Sequence, residues 1–205
     1  MNGTGSEGNG GGIKVSVGTA TLENLSITAN HVNANGGGIW IWGANIIIKN
    51  STFTSNTAQN GGQQEPSLGG GIFCAENSAL NLSGVTVSHN TSSGYGGGIY
   101  YIDSNPSLSN VTISENSAVE GGGIVIWNSS NTTLTNVTIN GNTTIGNNEN
   151  SLGGGILCIW SSPTLTNVTI SDNSTSGEAG GIYLDSSNPI LVNTILWSNS
   201  PQDVY

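Results

Sequence analysis

The stretch GGGIYYIDSNPSLSNVTISENSAVE, residues 96–120, contains one complete copy of the repeat that decides the fold of this chain. It begins with a glycine cluster followed by Ile99, and it contains Asn110 and, six positions later, Asn116. A glycine cluster precedes an aliphatic residue at seven places: Ile13, Ile39, Ile72, Ile99, Ile124, Ile156 and Ile182. A unit of about 25 residues that is poor in helix formers and rich in Gly, Asn, Thr and Val predicts a β-solenoid.

Each repeat is expected to form three short strands. The first follows the glycines, the second is centred on an aliphatic position such as Leu108, and the third is of the Val-Thr-Ile type. In the third strand Val111 and Ile113 alternate with polar residues, which places both on the inner face. A single coil cannot bury such residues, whereas stacked coils bury them in continuous columns.

We therefore predict an all-β protein, a right-handed parallel β-helix of about seven coils with three parallel sheets. With strands about 4.8 Å apart, the rod is roughly 34 Å long. We expect residues 1–205 to form a single β-helix domain, with a flexible segment at residues 1–9 and insertions at residues 57–68 and 143–152. The final Ser-Pro-Gln-Asp-Val-Tyr resembles the end of a coil, and we expect the chain to be a fragment of a longer protein.

One asparagine recurs near the end of every repeat. Its seven positions are Asn30, Asn56, Asn90, Asn116, Asn142, Asn173 and Asn199. Asparagine side chains stacked at a coil corner bond amide to amide and tolerate left-handed backbone geometry. We therefore interpret this column as a structural ladder and not as a set of ligands.

The charge of the chain excludes several classes of partner. The sequence has two lysines, no arginine and a formal net charge of −10. Nucleic-acid binding needs clustered cationic residues, so no nucleic-acid partner is expected, and membrane insertion is not expected either. The first residues do not form a signal peptide, so either an export signal has been removed or the chain is cytosolic.

The pairing of Gly-Gly-X-Ile with a hydrophobic-X-X-Asn motif resembles the repeats of chlamydial polymorphic outer-membrane proteins. The second motif stands at residues 27–30, 53–56, 113–116, 139–142 and 170–173. The repeats also resemble those of secreted bacterial proteins with a pectin-lyase-like right-handed β-helix. This resemblance implies adhesion and a location outside the cell or on its outer surface, but no particular ligand.

Candidate catalytic groups are few, and we expect no enzyme activity, no cofactor and no metal. Cys74 and Cys158 fall in one inward column three coils apart, a separation of about 14 Å that excludes a disulfide. His89, Glu115 and Asp172 share a turn column in which a carboxylate pair about 9.6 Å apart has the spacing of inverting glycosidases. A carbohydrate-active, pectin-lyase-like enzyme remains an alternative, although uronate chemistry lacks cationic groups here.

Outward threonines of the third strand suggest a second alternative. One column contains Ser26, Thr52, Thr86, Thr112, Thr138 and Thr169, and the next contains Thr28, Thr54, Ser88, Ser114, Asn140 and Ser171. Flat Thr-X-Thr ladders resemble the faces of some ice-binding solenoids, but only Thr52 and Thr54 form a true Thr-X-Thr. A solvated β-face explains the same pattern.

The first strand carries apolar residues on its outward side as well as its inward side. The candidate binding platform comprises Trp40, Trp42, Phe73, Tyr100, Trp127 and Tyr183. An exposed strip of this kind predicts a surface for a glycan, a partner protein or a second copy of the chain. The alternative is that the two insertions fold over the sheet, with Leu68 and Leu152 packed on these rings.

Overall fold

The computed structural model describes residues 4–5, 8–60, 65–128, 132–146 and 151–205. All regular secondary structure in these ranges is β-strand, and every strand pairing is parallel to the equivalent strand of the next coil. Ile99, for example, pairs with Ile72 on one side and with Ile124 on the other. The predicted parallel β-helix is confirmed, because each repeat forms one coil of the stack.

The first strand position forms a ladder through all seven coils. Its members are Ile13–Glu23, Ile39–Lys49, Ile72–Ala75, Ile99–Ile102, Ile124–Trp127, Ile156–Ile159 and Ile182–Asp185. Ile13–Glu23 and Ile39–Lys49 are long enough to continue into the second strand position. The first two coils therefore join the first and second ladders without a break.

The second and third strand positions form ladders of the same kind. Strands at the second position alone are Ala79–Ser83, Thr164–Thr166 and Ile190–Val192, and those at the third alone are Ser26–Thr28, Thr52–Thr54, Thr86–Ser88, Thr169–Ser171 and Ile195–Trp197. Ser107–Ser114 and Thr133–Asn140 run through both positions. These continuous strands link the three predicted ladders into one 17-stranded sheet.

A fourth ladder follows the recurring asparagine and was not predicted. Its strands are Thr4–Gly5, His31–Val32, Thr57–Ala58, Thr91–Ser92, Ser117–Ala118 and Thr143–Thr144, which form a 6-stranded sheet. Two residues are too few to show an alternating pattern, which is why the sequence gives no clear signal. Thr4–Gly5 lies within the segment 1–9 that we expected to be flexible, yet it pairs with His31–Val32.

The asparagine ladder is formed as predicted. The Asn116 side chain donates from Nδ2 to Asn142 Oδ1 at 2.9 Å and to the Val87 carbonyl at 3.0 Å. The same Oδ1 of Asn142 accepts the backbone N–H of Asn116 at 3.0 Å. This pattern repeats from coil to coil, and Asp203 accepts the final bond from Asn199 at 2.8 Å. Because these side chains are buried, each unmade bond would leave an unsatisfied polar group in the core.

We expected a left-handed backbone conformation at the ladder asparagine, but in the structure the residue before it adopts this conformation. Ala29, His89 and Glu115 have φ values of 53°, 56° and 55°, while the ladder asparagines following them are not in that region.

The glycine clusters allow neighbouring coils to approach each other closely. A Cβ on Gly98 would lie 2.6 Å from the Gly123 carbonyl oxygen, so the close approach of neighbouring coils requires glycine.

Candidate functional site

The predicted aromatic platform is divided by the structure, and its centre is buried. Trp40, Phe73 and Tyr100 are 8%, 3% and 3% exposed. Their rings stack nearly parallel, with centroids 6.2 Å apart between Trp40 and Phe73 and 5.8 Å apart between Phe73 and Tyr100. We call the outward column of Trp40, Phe73, Tyr100, Val125 and Leu157 the strip, and it forms a second hydrophobic core.

The strip is covered by the residues that precede each glycine cluster. Leu68, Tyr95 and Leu152 pack against it, and Leu68 pairs with Tyr95 in a parallel bridge. Leu68 and Leu152 end the two insertions, whose residues 61–64 and 147–150 lie outside the described ranges. The alternative in which Leu68 and Leu152 pack on the strip is therefore confirmed. The prediction of an exposed strip is wrong for the rings of Trp40, Phe73 and Tyr100, because the chain entering each coil folds over them.

Aromatic surface remains accessible at the edge of the strip, in a cluster that we call the rim: Tyr95, Trp127 and Trp160. Trp127 meets Tyr95 edge to face with centroids 6.0 Å apart and an interplanar angle of 77°. It meets Trp160 at 6.2 Å and 71°. Tyr95 and Trp127 are half-buried, and Trp160 is 58% exposed. The rim therefore presents aromatic faces and edges to solvent from three successive coils.

Trp160 was missed by the sequence analysis. It follows the strand Ile156–Ile159 and occupies a corner with φ of 47°, where alternation along a strand no longer applies. A bulky aromatic residue in the left-handed region is uncommon and marks a position worth attention. The sequence offered one clue to this position, which is that a tryptophan directly follows the predicted strand that contains Cys158.

The other two platform residues lie apart from the rim. Trp42 is 41% exposed and stacks on Trp40 at 5.7 Å. Tyr183 is half-buried and stacks on Tyr205 at 5.3 Å. Of the six predicted platform residues, only Trp127 thus belongs to the accessible rim. The buried ring of Tyr100 lies behind it, with its centroid 6.5 Å from those of Tyr95 and Trp127.

Two acidic residues, Asp103 and Glu120, lie near the rim. Asn128 donates a hydrogen bond to Asp103 beside Trp127. Burial raises the pKa of Glu120, and burial together with the nearby Glu120 carboxylate raises the pKa of the Tyr95 phenol. The site thus combines aromatic rings with carboxylate and amide groups that can accept or donate hydrogen bonds.

The candidate catalytic column lies elsewhere and is open to solvent. His89 Nε2 contacts Glu115 Oε2 at 2.6 Å, and both side chains are more than half exposed. Asp172 is exposed as well. An exposed pair of this kind contributes little to stability, and its solvent exposure gives neither group the desolvated environment typical of a general acid or base.

Both cysteines occupy the inward column in the predicted register. Cys74 pairs with Ile41 and Tyr101, and Cys158 pairs with Ile126 three coils further on. They are buried free thiols. Burial raises the pKa of Cys74 to about 11 and that of Cys158 to about 12, so neither forms a nucleophilic thiolate at neutral pH.

The threonine face is regular in one column only. Thr52, Thr86, Thr112, Thr138 and Thr169 are in register on successive coils. In the adjoining column Ser88 is buried and shares a hydrogen bond with Thr54 at 3.3 Å. Some hydroxyl groups of the predicted second column are therefore hydrogen-bonded to other hydroxyl groups of the same column.

A shallow groove of about 300 Å³ lies on the outer side of the second ladder in the first three coils. Its lining includes Thr19, Thr21, Asn45 and Asn81 around Ile47. These groups are polar and uncharged, but the lining includes no aromatic ring. The rim is consequently the better platform for a ligand that binds by stacking.

The described ranges contain no group of three His, Cys, Asp or Glu side chains able to hold a metal ion. Within the same ranges, no helix has the length and apolar character needed to cross a membrane.

The family profile described as "Right handed beta helix region" matches residues 2–166. Neither the curated proteins nor the solved structures gave a significant match. The profile covers most of the sequence, and the chain therefore belongs to the right-handed β-helix family.

Proposed function

We propose that this protein is a secreted or cell-surface recognition scaffold that binds a neutral glycan through the rim. The observation that carries the proposal is the Trp127–Trp160 pair, held edge to face at 6.2 Å beside Tyr95. Sugar rings stack on tryptophan and tyrosine faces through their C–H groups. The buried strip supports these rings from behind, so that the platform is rigid before a ligand binds.

The charges near the rim favour a neutral ligand. Glu120 and Asp103 can accept hydrogen bonds from sugar hydroxyls. Since the chain has a net charge of −10 and no arginine, an acidic polysaccharide would be repelled and would lack a bidentate cationic partner. The resemblance of the repeats to chlamydial surface proteins supports a location outside the cell, and we include adhesion in the proposal.

We propose binding in preference to catalysis. The pectin-lyase-like fold also supports enzymes, and fold alone does not decide between the two classes. The two thiols are buried, and the exposed carboxylates of Glu115 and Asp172 lie outside the aromatic rim. The aromatic rings, in contrast, form a surface that stacking alone can use.

A glycan array that includes neutral oligosaccharides and uronate-containing ones tests the proposal. We expect binding to neutral oligosaccharides, weakened about tenfold or more by Trp160→Ala, which corresponds to about 1.4 kcal/mol. Trp197→Ala is the matched control, because Trp197 is 70% exposed on the strand Ile195–Trp197, away from the rim. Binding of acidic chains alone, or equal losses in both variants, would count against the rim.

Ice binding is the second candidate, supported by the single column of in-register threonines such as Thr52, Thr86 and Thr112. A regular array of hydroxyl and methyl groups is the feature that this function requires. Thermal hysteresis and shaped ice crystals at micromolar protein, both reduced by Thr112→Lys, would favour it over glycan recognition. Ordinary freezing would leave the threonines as a solvated β-face.

A further inference from the structure

Two columns of asparagine carry the same acceptor sequence, Asn-X-Ser/Thr, but differ in accessibility. The first stands at the corner between the second and third strands, and we call it the corner column: Asn24, Asn50, Asn110, Asn136 and Asn167. The second belongs to the buried ladder, in which Asn90, Asn142 and Asn173 are each followed two residues later by Ser or Thr. Asn-X-Ser/Thr is the acceptor of N-linked glycans.

Every corner asparagine is exposed and has a positive φ, 54° at Asn110 and 55° at Asn136. The hydroxyl residue of the acceptor sequence lies two positions later in the outward column of the third strand, as Thr112 and Thr138 do. Asn136 Nδ2 donates to Asn110 Oδ1 at 3.2 Å, in an exposed contact. The amide and the hydroxyl group of each acceptor therefore both lie on the surface of the rod.

The acceptor asparagines of the ladder are inaccessible in the folded protein. Asn142 is 0% exposed, and both hydrogens of its Nδ2 are used, toward Asn173 Oδ1 at 2.9 Å and the Ile113 carbonyl at 3.0 Å. A glycan replaces one of these hydrogens and would place a sugar inside the coil. Modification at a ladder asparagine is thus incompatible with the fold.

We infer that the corner column is an N-glycan acceptor surface and that folding protects the identical acceptor sequences of the ladder. The co-reactant is a lipid-pyrophosphate-linked oligosaccharide. Nδ2 attacks the anomeric carbon, the bond from that carbon to the pyrophosphate oxygen breaks, and Nδ2 loses one proton to a base. No electron is gained or lost in this transfer.

Coil spacing limits how many corners carry a glycan at once. Neighbouring corners lie about 4.8 Å apart, too close for two branched sugars side by side. The third coil has Gly84 at this corner, with φ of 64°, so Asn50 and Asn110 are separated by a coil without an acceptor. These two positions are expected to be occupied together more often than Asn110 and Asn136.

The inference rests on the export included in the proposed function but not on glycan binding. The full chain, preceded by a cleavable signal peptide, is secreted from cells that contain an oligosaccharyltransferase, and site occupancy is mapped by glycopeptide mass spectrometry. Folded secreted protein is expected to carry glycans on corner asparagines and none on Asn90, Asn142 or Asn173. Glycan on a ladder asparagine of folded protein, or no glycan at any corner asparagine, would overturn the inference.

Matched variants separate modification from stability. Asn110→Gly removes one acceptor and uses the residue that Gly84 already places at this corner, so that only the site-110 glycan is expected to disappear. The triple variant Ser92→Ala, Thr144→Ala and Thr175→Ala removes the ladder acceptors together with the hydrogen bonds that Ser92 and Thr175 donate to the Ser67 and Ser151 carbonyls. Its secreted yield should not exceed that of the parent, because folding already protects the ladder asparagines. A severalfold rise in yield would show that these asparagines are modified before they fold and would count against protection.

Failure of this inference is distinguishable from failure of the proposed function. Glycan-array binding uses protein made without glycosylation and depends on Tyr95, Trp127 and Trp160. Acceptor mapping depends on the corner column. Loss of binding with corner occupancy intact would refute only the rim, and the opposite result would refute only the corner acceptors.

Discussion

The strip and the rim are neighbouring groups of aromatic residues along the first ladder, but the strip is core and the rim is surface. Tyr100 is covered by the chain that enters the coil, while Trp160 stands at a corner beyond that cover. Outward apolar residues on a strand therefore do not by themselves indicate a binding face. What decides their role is whether the residue before the glycine cluster packs over them, as Leu68 does.

The largest expected difference between strip and rim is in stability. Phe73→Ala should lower the free energy of unfolding by about 3–5 kcal/mol, because it leaves a cavity between two stacked rings. Trp160→Ala should change it by about 0.5 kcal/mol or less, as expected for a surface position. Denaturant unfolding followed by circular dichroism measures both values.

An equal loss of stability in the two variants would remove the distinction on which this comparison depends. Phe73→Leu is the conservative control, since Leu157 occupies the same column. It should recover most of the stability lost in Phe73→Ala.

The two asparagine columns give the next largest contrast. Asn116→Ala should destabilise the protein by about 1–3 kcal/mol, because Asn90 and Asn142 each lose a buried hydrogen-bond partner. Asn110→Gly should cost about 0.5–1 kcal/mol at most, because glycine suits the positive φ of the corner. Melting temperatures of unglycosylated proteins test this, and an undisturbed Asn116→Ala variant would contradict a stabilising ladder.

A smaller effect is expected from alkaline pH. Burial raises the pKa of Cys74 from 9.0 to about 11 and that of Cys158 from 9.0 to about 12, so the folded state holds protons that the unfolded chain loses. Stability is then unaffected below pH 9 and falls above it, by about 1 kcal/mol per thiol between pH 9 and 10.

The Cys74→Val/Cys158→Val variant should show a shallower decline over the same pH range, since Val15 already occupies this inward column. Buried Tyr101 and Tyr100, whose pKa values burial also raises, contribute to the remaining slope. Denaturant midpoints measured from pH 8 to 10.5 check the difference, and superimposable curves for variant and parent would show that the thiols are not protected.

Much of the fold was predictable because the repeat fixes which residues are equivalent. The coil register, the inward columns and the ladder of Asn30 to Asn199 all follow from that equivalence. The covering of the strip by Leu68 and Leu152 was one of two alternatives that the sequence left open, because the choice depends on how the ends of the two insertions pack in three dimensions. Trp160 was missed because its position at a corner has no strand periodicity. The strands of the fourth ladder were not predicted for the same reason, since two residues cannot show an alternating pattern.

Fluorine NMR of protein labelled with fluorotryptophan tests the central claim, that the rim and not the strip meets a ligand. The sequence has five tryptophans, which single Trp→Phe variants assign. On addition of a neutral oligosaccharide chosen from the array, the resonances of Trp127 and Trp160 should shift while that of buried Trp40 stays unchanged. Shifts confined to Trp197 or Trp42, or no shift at saturating oligosaccharide, would contradict glycan recognition by the rim.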